Sequence, residues 1–223
     1  MAADGGDQRE LITEGSSAWP ALSPDGHTLA FASTRGDQMG IWRADADGTN
    51  ARILSVVTDA AFLVFARDGR SLYFTSSMQG APATYRLSID GGSPALVAPL
   101  FERAAVSPDG RQLAGVYREN ARTSMSLGIL TTENGTPVKV FPNLATTSLG
   151  GSTDWMPDGQ AVLYTTTERF NVWRRRVEGG EPERVTNFSD LALVRFAVSP
   201  DGRSLVMCRG TQVRDAFLIT GFR

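Results

Sequence analysis

The chain has 223 residues, 41% of them hydrophobic and 21% charged, with 23 glycines and 11 prolines. That balance excludes an intrinsically disordered or collagen-like chain, and at about 150 residues per domain it bounds the fold to one or two units, one being expected for a repetitive all-β architecture. With 22 basic against 24 acidic side chains the net charge is -2, so no electrostatic surplus holds a phosphate backbone or an anionic bilayer, and no nucleic-acid partner is expected.

Lys139 is the only lysine, which fits either genome composition or a use of guanidinium forks for carboxylates. The single cysteine, Cys208, excludes an internal disulfide. No stretch reaches the roughly 20 apolar residues that span a bilayer, and Met1 to Gly6 lack the basic start and apolar core of a secretory signal, so no membrane insertion is expected.

In chain order, a turn at Asp4-Gly5-Gly6 leads into a strand-like Arg9-Glu-Leu-Ile12. Five tight turns follow: Ser23-Pro24-Asp25-Gly26, Arg67-Asp68-Gly69, Ser107-Pro108-Asp109-Gly110, Pro157-Asp158-Gly159 and Ser199-Pro200-Asp201-Gly202. Their glycines are spaced 43, 41, 49 and 43, and a second register, Gly5, Gly48, Gly91, Gly135 and Gly179, repeats at 43, 43, 44 and 44. Pro fixes φ at the second turn position, Ser and Asp bond locally, and Gly takes the positive φ that closes a hairpin.

After each tight turn comes a run that is apolar at consecutive positions: Leu29 to Ala32, Leu72 to Thr75, Leu113 to Val116, Val162 to Thr165 and Leu205 to Cys208. Such runs predict strands buried on both faces. A further strand carries Ile41-Trp42, Tyr85 to Leu87, Leu127 to Ile129, Val172-Trp173 or Phe217 to Ile219, and more polar outer strands follow, as at Arg52 to Leu54 and Arg184 to Thr186. Four short strands in each of five units predict an all-β fold, a β-propeller of five four-stranded blades occupying residues 1–223 as one domain. The last unit stops after its third strand, so Arg9 to Ile12 is expected to pair with Ala216 to Thr220, complete the last blade and close the ring.

The stretch from Ser23 to Gly36, followed by Ile41-Trp42 and Asp47-Gly48, resembles the TolB-type, WD-like propeller repeat of bacteria. Units two and four depart from it, with Ala66-Arg67 and Met156 in place of Ser-Pro and Ser. The ending, Arg209-Gly-Thr-Gln and Asp215 to Ile219, is similar to the last blade of propellers appended to bacterial serine/threonine kinases and winged-helix regulators. The resemblance implies ligand or protein binding, not catalysis, and a periplasmic setting. These families commonly have six or more blades, so the chain is expected to be the C-terminal part of a larger protein.

His27, the only histidine, follows a turn glycine and reads as a solvated turn residue; no Gly-x-Ser-x-Gly elbow or phosphate loop accompanies it. Asp45 and Asp47 share the start of a calcium-loop spacing, but Arg43 and Leu54 occupy the positions of the first and last ligands. No metal and no cofactor is expected. An enzymatic alternative is a propeller glycoside hydrolase whose carboxylates converge at the axis, with Asp59, Glu102, Asp154 and Asp190 as the available groups.

Aligning the units on their turns places Trp19, Phe62, Arg103, Ser152 and Arg195 at one equivalent position before the inner strand. The loops between second and third strands add Arg35, Arg118, Arg122, Arg169 and Arg209. The expected function is a non-catalytic interaction or sensor module, monomeric, binding a protein or peptide on this axial face. Exposed arginine heads there favour an acidic partner. The alternative is that Trp19 and Phe62 fill gaps between blades while the arginines are solvated or paired with Asp37, Glu119 and Glu168.

Overall fold

A computed structural model describes residues 10–35, 38–142, 152–166 and 171–210. Its strands are β1 (Ser16–Leu22), β2 (Thr28–Arg35), β3 (Gln38–Asp45), β4 (Arg52–Ser55), β5 (Ala61–Phe65), β6 (Ser71–Ser76), β7 (Ala83–Ser88), β8 (Ala95–Pro99) and β9 (Phe101–Val106). They continue as β10 (Gln112–Tyr117), β11 (Ser126–Thr131), β12 (Pro137–Phe141), β13 (Thr153–Trp155), β14 (Ala161–Thr165), β15 (Val172–Arg176), β16 (Glu183–Arg184), β17 (Ala192–Val198) and β18 (Leu205–Gly210). Four consecutive strands form each of four antiparallel sheets, and β17 pairs with β18 in a fifth. The protein is an all-β propeller whose blades follow the repeats.

The tight turns show why the repeat takes its form. In the first, Gly26 N–H donates to Ser23 O at 2.9 Å, His27 N–H to Asp25 Oδ1 at 3.0 Å and Thr28 N–H to Ser23 Oγ at 2.9 Å, with Gly26 at φ 75°. Where Ala66 and Met156 replace serine, the Asp and Gly bonds alone persist: Arg70 N–H to Asp68 Oδ1 and Gln160 N–H to Asp158 Oδ1, both at 2.9 Å. The hydroxyl adds to the turn without being needed to form it. His27 is exposed there, as a turn residue should be.

These bonds set an acid response. Hydrogen bonds from Ser23, Ser107 and Ser199 lower the pKa of Asp25, Asp109 and Asp201 below 3.8. The stability they contribute is therefore present above the unfolded value and lost as pH falls through the folded values. Denaturant midpoints measured from pH 6 down to about 2 should fall less steeply in the triple variant Asp25→Asn, Asp109→Asn, Asp201→Asn than in the parent.

Blades pack face to face through separate cores. Ile41 and Leu54 of the first blade meet Phe74 and Tyr85 of the second, and Tyr73 and Ala98 meet Phe101 and Leu130 of the third. Leu127 and Phe141 then meet Trp155 and Tyr164 of the fourth, and Leu163 and Val172 meet Leu193 and Phe196 of the fifth. The expectation of two-sided burial holds fully for β6 and β14, every residue of which is buried, and fails in β18, where Val206 and Cys208 are exposed. Among the described residues no such core joins the fifth blade to the first; Val206 is 72% exposed and Leu22 56%.

A second device staggers the blades. The outer turns of the second and third blades sit on the fourth strand of the preceding blade, so closely that a side chain on Gly135 would lie 2.2 Å from Val97 O and one on Gly91 3.0 Å from Leu54 O, whereas Gly179 of the fourth blade has nothing within 4 Å. One on Gly48 would lie 2.2 Å from Leu11 O, which places Leu11 where Leu54 and Val97 stand for the later blades. Glu10 to Ile12 form no strand among the described residues, and the expected pairing of Arg9 to Ile12 with Ala216 to Thr220 falls outside them. Gly135 also has φ 66°, so Gly135→Ala combines backbone strain with a clash and should cost about 1–3 kcal/mol in urea denaturation.

Candidate binding face

Each inner strand enters from the face that carries the second-to-third loops, because Ser16 pairs with Thr34 and Phe101 with Tyr117. Near this entry the ladder skips one residue in β1, β5, β9 and β17. The bulges put three bulky residues in the left-handed region: Trp19 at φ 57°, Phe62 at 54° and Arg103 at 59°. Such conformations cost about 1 kcal/mol or more each for a residue with a Cβ, and they re-aim side chains. All three stand at the position equivalent in every repeat.

The side chains meet at the axis. The rings of Trp19 and Phe62 are 4.2 Å apart between centroids. Arg195 lays its guanidinium 4.4 Å from the Trp19 centroid and 5.7 Å from that of Phe62, while Arg103 lies 5.0 Å from the Phe62 centroid. Contributions thus arrive from the first, second, third and fifth blades. Behind them lies a cavity of about 250 Å³ lined by Phe62, Arg67, Arg103, Ser152, Asp154 and Arg195, among others. Ser152 directs its hydroxyl to Phe196 O at 3.3 Å and thereby ties the fourth blade to the fifth.

The arginines do not share one environment, and the expectation of free, exposed heads needs correction. Arg103 is 6% exposed, its Nε 3.9 Å from Glu102 and its backbone N–H bonded to Thr75 Oγ1 at 2.9 Å. The bulge turns its side chain inward, where an unpaired charge would be costly. Arg35 is engaged by Glu14 at 2.8 Å, and Arg209 by Asp190 while resting 3.7 Å from the Phe188 ring centre. Arg118 is half-buried, Arg122 exposed, and Arg169 lies outside the described residues. Arg195 remains exposed overall, although desolvation of its guanidinium lowers its pKa; it stays a cation with donors available to a partner.

The four carboxylates separate as well. Asp59 accepts from Ser76 Oγ at 2.5 Å and Ser77 N–H at 2.6 Å, which makes it a cap of the loop after β6. Glu102 pairs with Arg103, and Asp190 with Arg209; a bond from the Leu191 backbone, then the Arg209 bond, lowers the Asp190 pKa. Of the four, Asp154 alone lines the axial cavity. Burial raises its pKa although Val198 and Trp155 N–H groups bond it, so this group opposes folding above its folded pKa and not below 3.8. Asp45 and Asp47 are occupied inside their turn, by Asn50 Nδ2 at 2.6 Å and by Thr49 N–H at 2.9 Å.

Arg67 was hidden in the sequence as a degenerate turn. Its Nε donates to Ser107 O at 3.1 Å and its Nη2 to Val106 O at 2.9 Å, so it crosses from the second blade to the third at the axis. The available signal was a cation at the turn position where the other four units carry proline.

Known proteins agree with this geometry. Comparison with curated proteins gives no match. Among solved structures, a putative TolB from Agrobacterium tumefaciens superposes with a TM-score of 0.71 at 22% identity, over 93% of this chain and 75% of that one. TolB from Acinetobacter baumannii gives 0.60 at 21%, over 78% and 46%, and a gluconolactonase from Xanthomonas campestris 0.66 at 17%, over 90% and 71%. These identities establish likeness of fold. The TolB beta propeller domain model matches residues 5–169, and the chain belongs to that family.

Proposed function

We propose that this propeller is a non-catalytic binding module whose axial loop face takes a carboxylate-bearing peptide segment of a protein partner. The observation that carries the reading is the bulged triad: Trp19, Phe62 and Arg103 held at positive φ around one opening, with Arg195 spread over both rings. Strain repeated at one position in three blades is retained where a site needs it. Aromatic and arginine side chains are the types that dominate protein interfaces. Arg195 supplies the positive head, and the rings supply a rigid apolar platform.

The carboxylates support a binding role over glycoside hydrolysis. That chemistry needs two of them across the scissile bond, and Asp59, Glu102 and Asp190 are each held by a local partner away from the cavity lining. The test is selection from a displayed peptide library against the intact chain, followed by competition with soluble peptides. Enrichment of sequences with Asp, Glu or a free C-terminus is expected. Selection of uncharged or basic peptides, or turnover of a glycan by the intact chain, would overturn the reading. The periplasmic setting belongs to the same proposal, and fractionation of source cells tests it; recovery in the cytoplasmic fraction would remove it.

A further inference from the structure

The axial opening continues past the bulged residues. On the side of the tight turns lies a second cavity of about 420 Å³, walled by Pro108, Pro157, Pro200 and Val198, and Arg67 and Asp154 line it as well as the first. These two opposite charges stand at the waist of the axial passage.

Both are fixed in place and only partly spent. Arg67 gives its Nε and one Nη2 hydrogen to Ser107 O and Val106 O, so of five guanidinium N–H groups three have no hydrogen-bond partner among the described residues. Asp154 accepts Trp155 N–H on Oδ1 at 2.9 Å and Val198 N–H on Oδ2 at 3.1 Å, each oxygen keeping a further lone-pair direction. The two groups form no direct ion pair, yet the Arg67 charge favours ionisation of Asp154 against burial. A gap therefore separates a held guanidinium from a held carboxylate.

The ligand class follows by elimination. A metal cation would be repelled by Arg67, and no group of three acidic, histidine or cysteine side chains stands ready for one among the described residues. A simple anion would meet Asp154. A peptide interior carries neither charge, and a peptide terminus carries one of the two. We propose that the turn-face cavity binds a free α-amino acid, its carboxylate on Arg67, its ammonium on Asp154 and its side chain against the proline-lined wall. The two cavities share Arg67 and Asp154, but the amino-acid reading rests on these two charges and not on the peptide proposed for the loop face.

The experiment is saturation-transfer NMR and calorimetry on the intact chain with L-alanine, L-leucine and L-phenylalanine, each against its N-acetyl and amide forms. At least one free amino acid should bind, with both capped forms weaker by about tenfold or more, since each capped form leaves one held charge unmatched. Arg67→Met should weaken the free amino acid by a similar factor. Asp154→Asn should do so too, but because Asp154 also holds two backbone N–H groups its fold is checked by circular dichroism, and the capped-ligand comparison on the unmodified protein stands without it. Absence of binding by all three amino acids at about 10 mM, equal binding of the capped forms, or full binding by Arg67→Met would overturn the proposal.

Discussion

Replacing Trp155 by alanine should remove about 3–5 kcal/mol of folding stability, the largest loss expected from a single side chain here. The indole is 3% exposed in the core between the third and fourth blades, packed with Leu127, Ile129, Phe141 and Tyr164. Its Nε1 donates to Ala105 O at 3.0 Å, so truncation opens a cavity and strips a buried carbonyl of its partner. Trp155→Phe keeps most of the ring and loses the bond, and should cost roughly 1–3 kcal/mol. Urea denaturation of the three proteins, with m-values compared, separates these terms. A loss below about 1 kcal/mol for the alanine variant would show that this seam is not part of the cooperative core.

The second large effect concerns binding. With a peptide obtained from the library selection, the double variant Trp19→Ala, Arg195→Ala should bind at least roughly thirtyfold more weakly, a loss of about 2 kcal/mol or more. Arg195 is the cation of the axial cluster that keeps solvent contact, and Trp19 is the ring it lies over. Arg103→Ala should act differently: its side chain is 5% exposed beside Glu102, so its removal should lower the unfolding midpoint first. Arg175, stacked 4.6 Å from the Phe141 centroid on the outer part of its blade, should leave the affinity unchanged when replaced by Ala. Fluorescence anisotropy with thermal melts on the same samples tells these cases apart. Equal affinity of the parent and the double variant would reject the loop face.

The blade plan was readable because the tight turns carry their conformation in their residues: Asp and Gly at fixed offsets force the same hydrogen bonds even at Ala66 and Met156. The axial positions were readable for a related reason, since a period of about 43 residues brings Trp19, Phe62, Arg103, Ser152 and Arg195 to equivalent places. What those side chains do there was not readable. Trp, Phe and Arg have no preference for positive φ, so the bulges are imposed by the sheet and leave no local mark. Arg103 and Glu102 are adjacent in sequence, where neighbours on a strand point to opposite faces; their contact exists because the bulge breaks that alternation. Partners across blades, such as Val106 for Arg67 and Val198 for Asp154, depend on curvature that no single unit encodes.

The series of separate cores between neighbouring blades has a kinetic consequence. Each seam is cemented only by the two blades that share it, so opening should spread from neighbour to neighbour and the free energy of local opening should vary along the chain. Amide hydrogen exchange should be slowest in β6, β10 and β14, which have a cemented seam on either side, and fastest in β18, one face of which shows Val206 to solvent. The four described seams differ in their side chains, from Phe74 and Tyr85 between the first two blades to Leu193 and Phe196 between the last two, so each should part at a free energy of its own and admit solvent to the axis from the side without unfolding a blade.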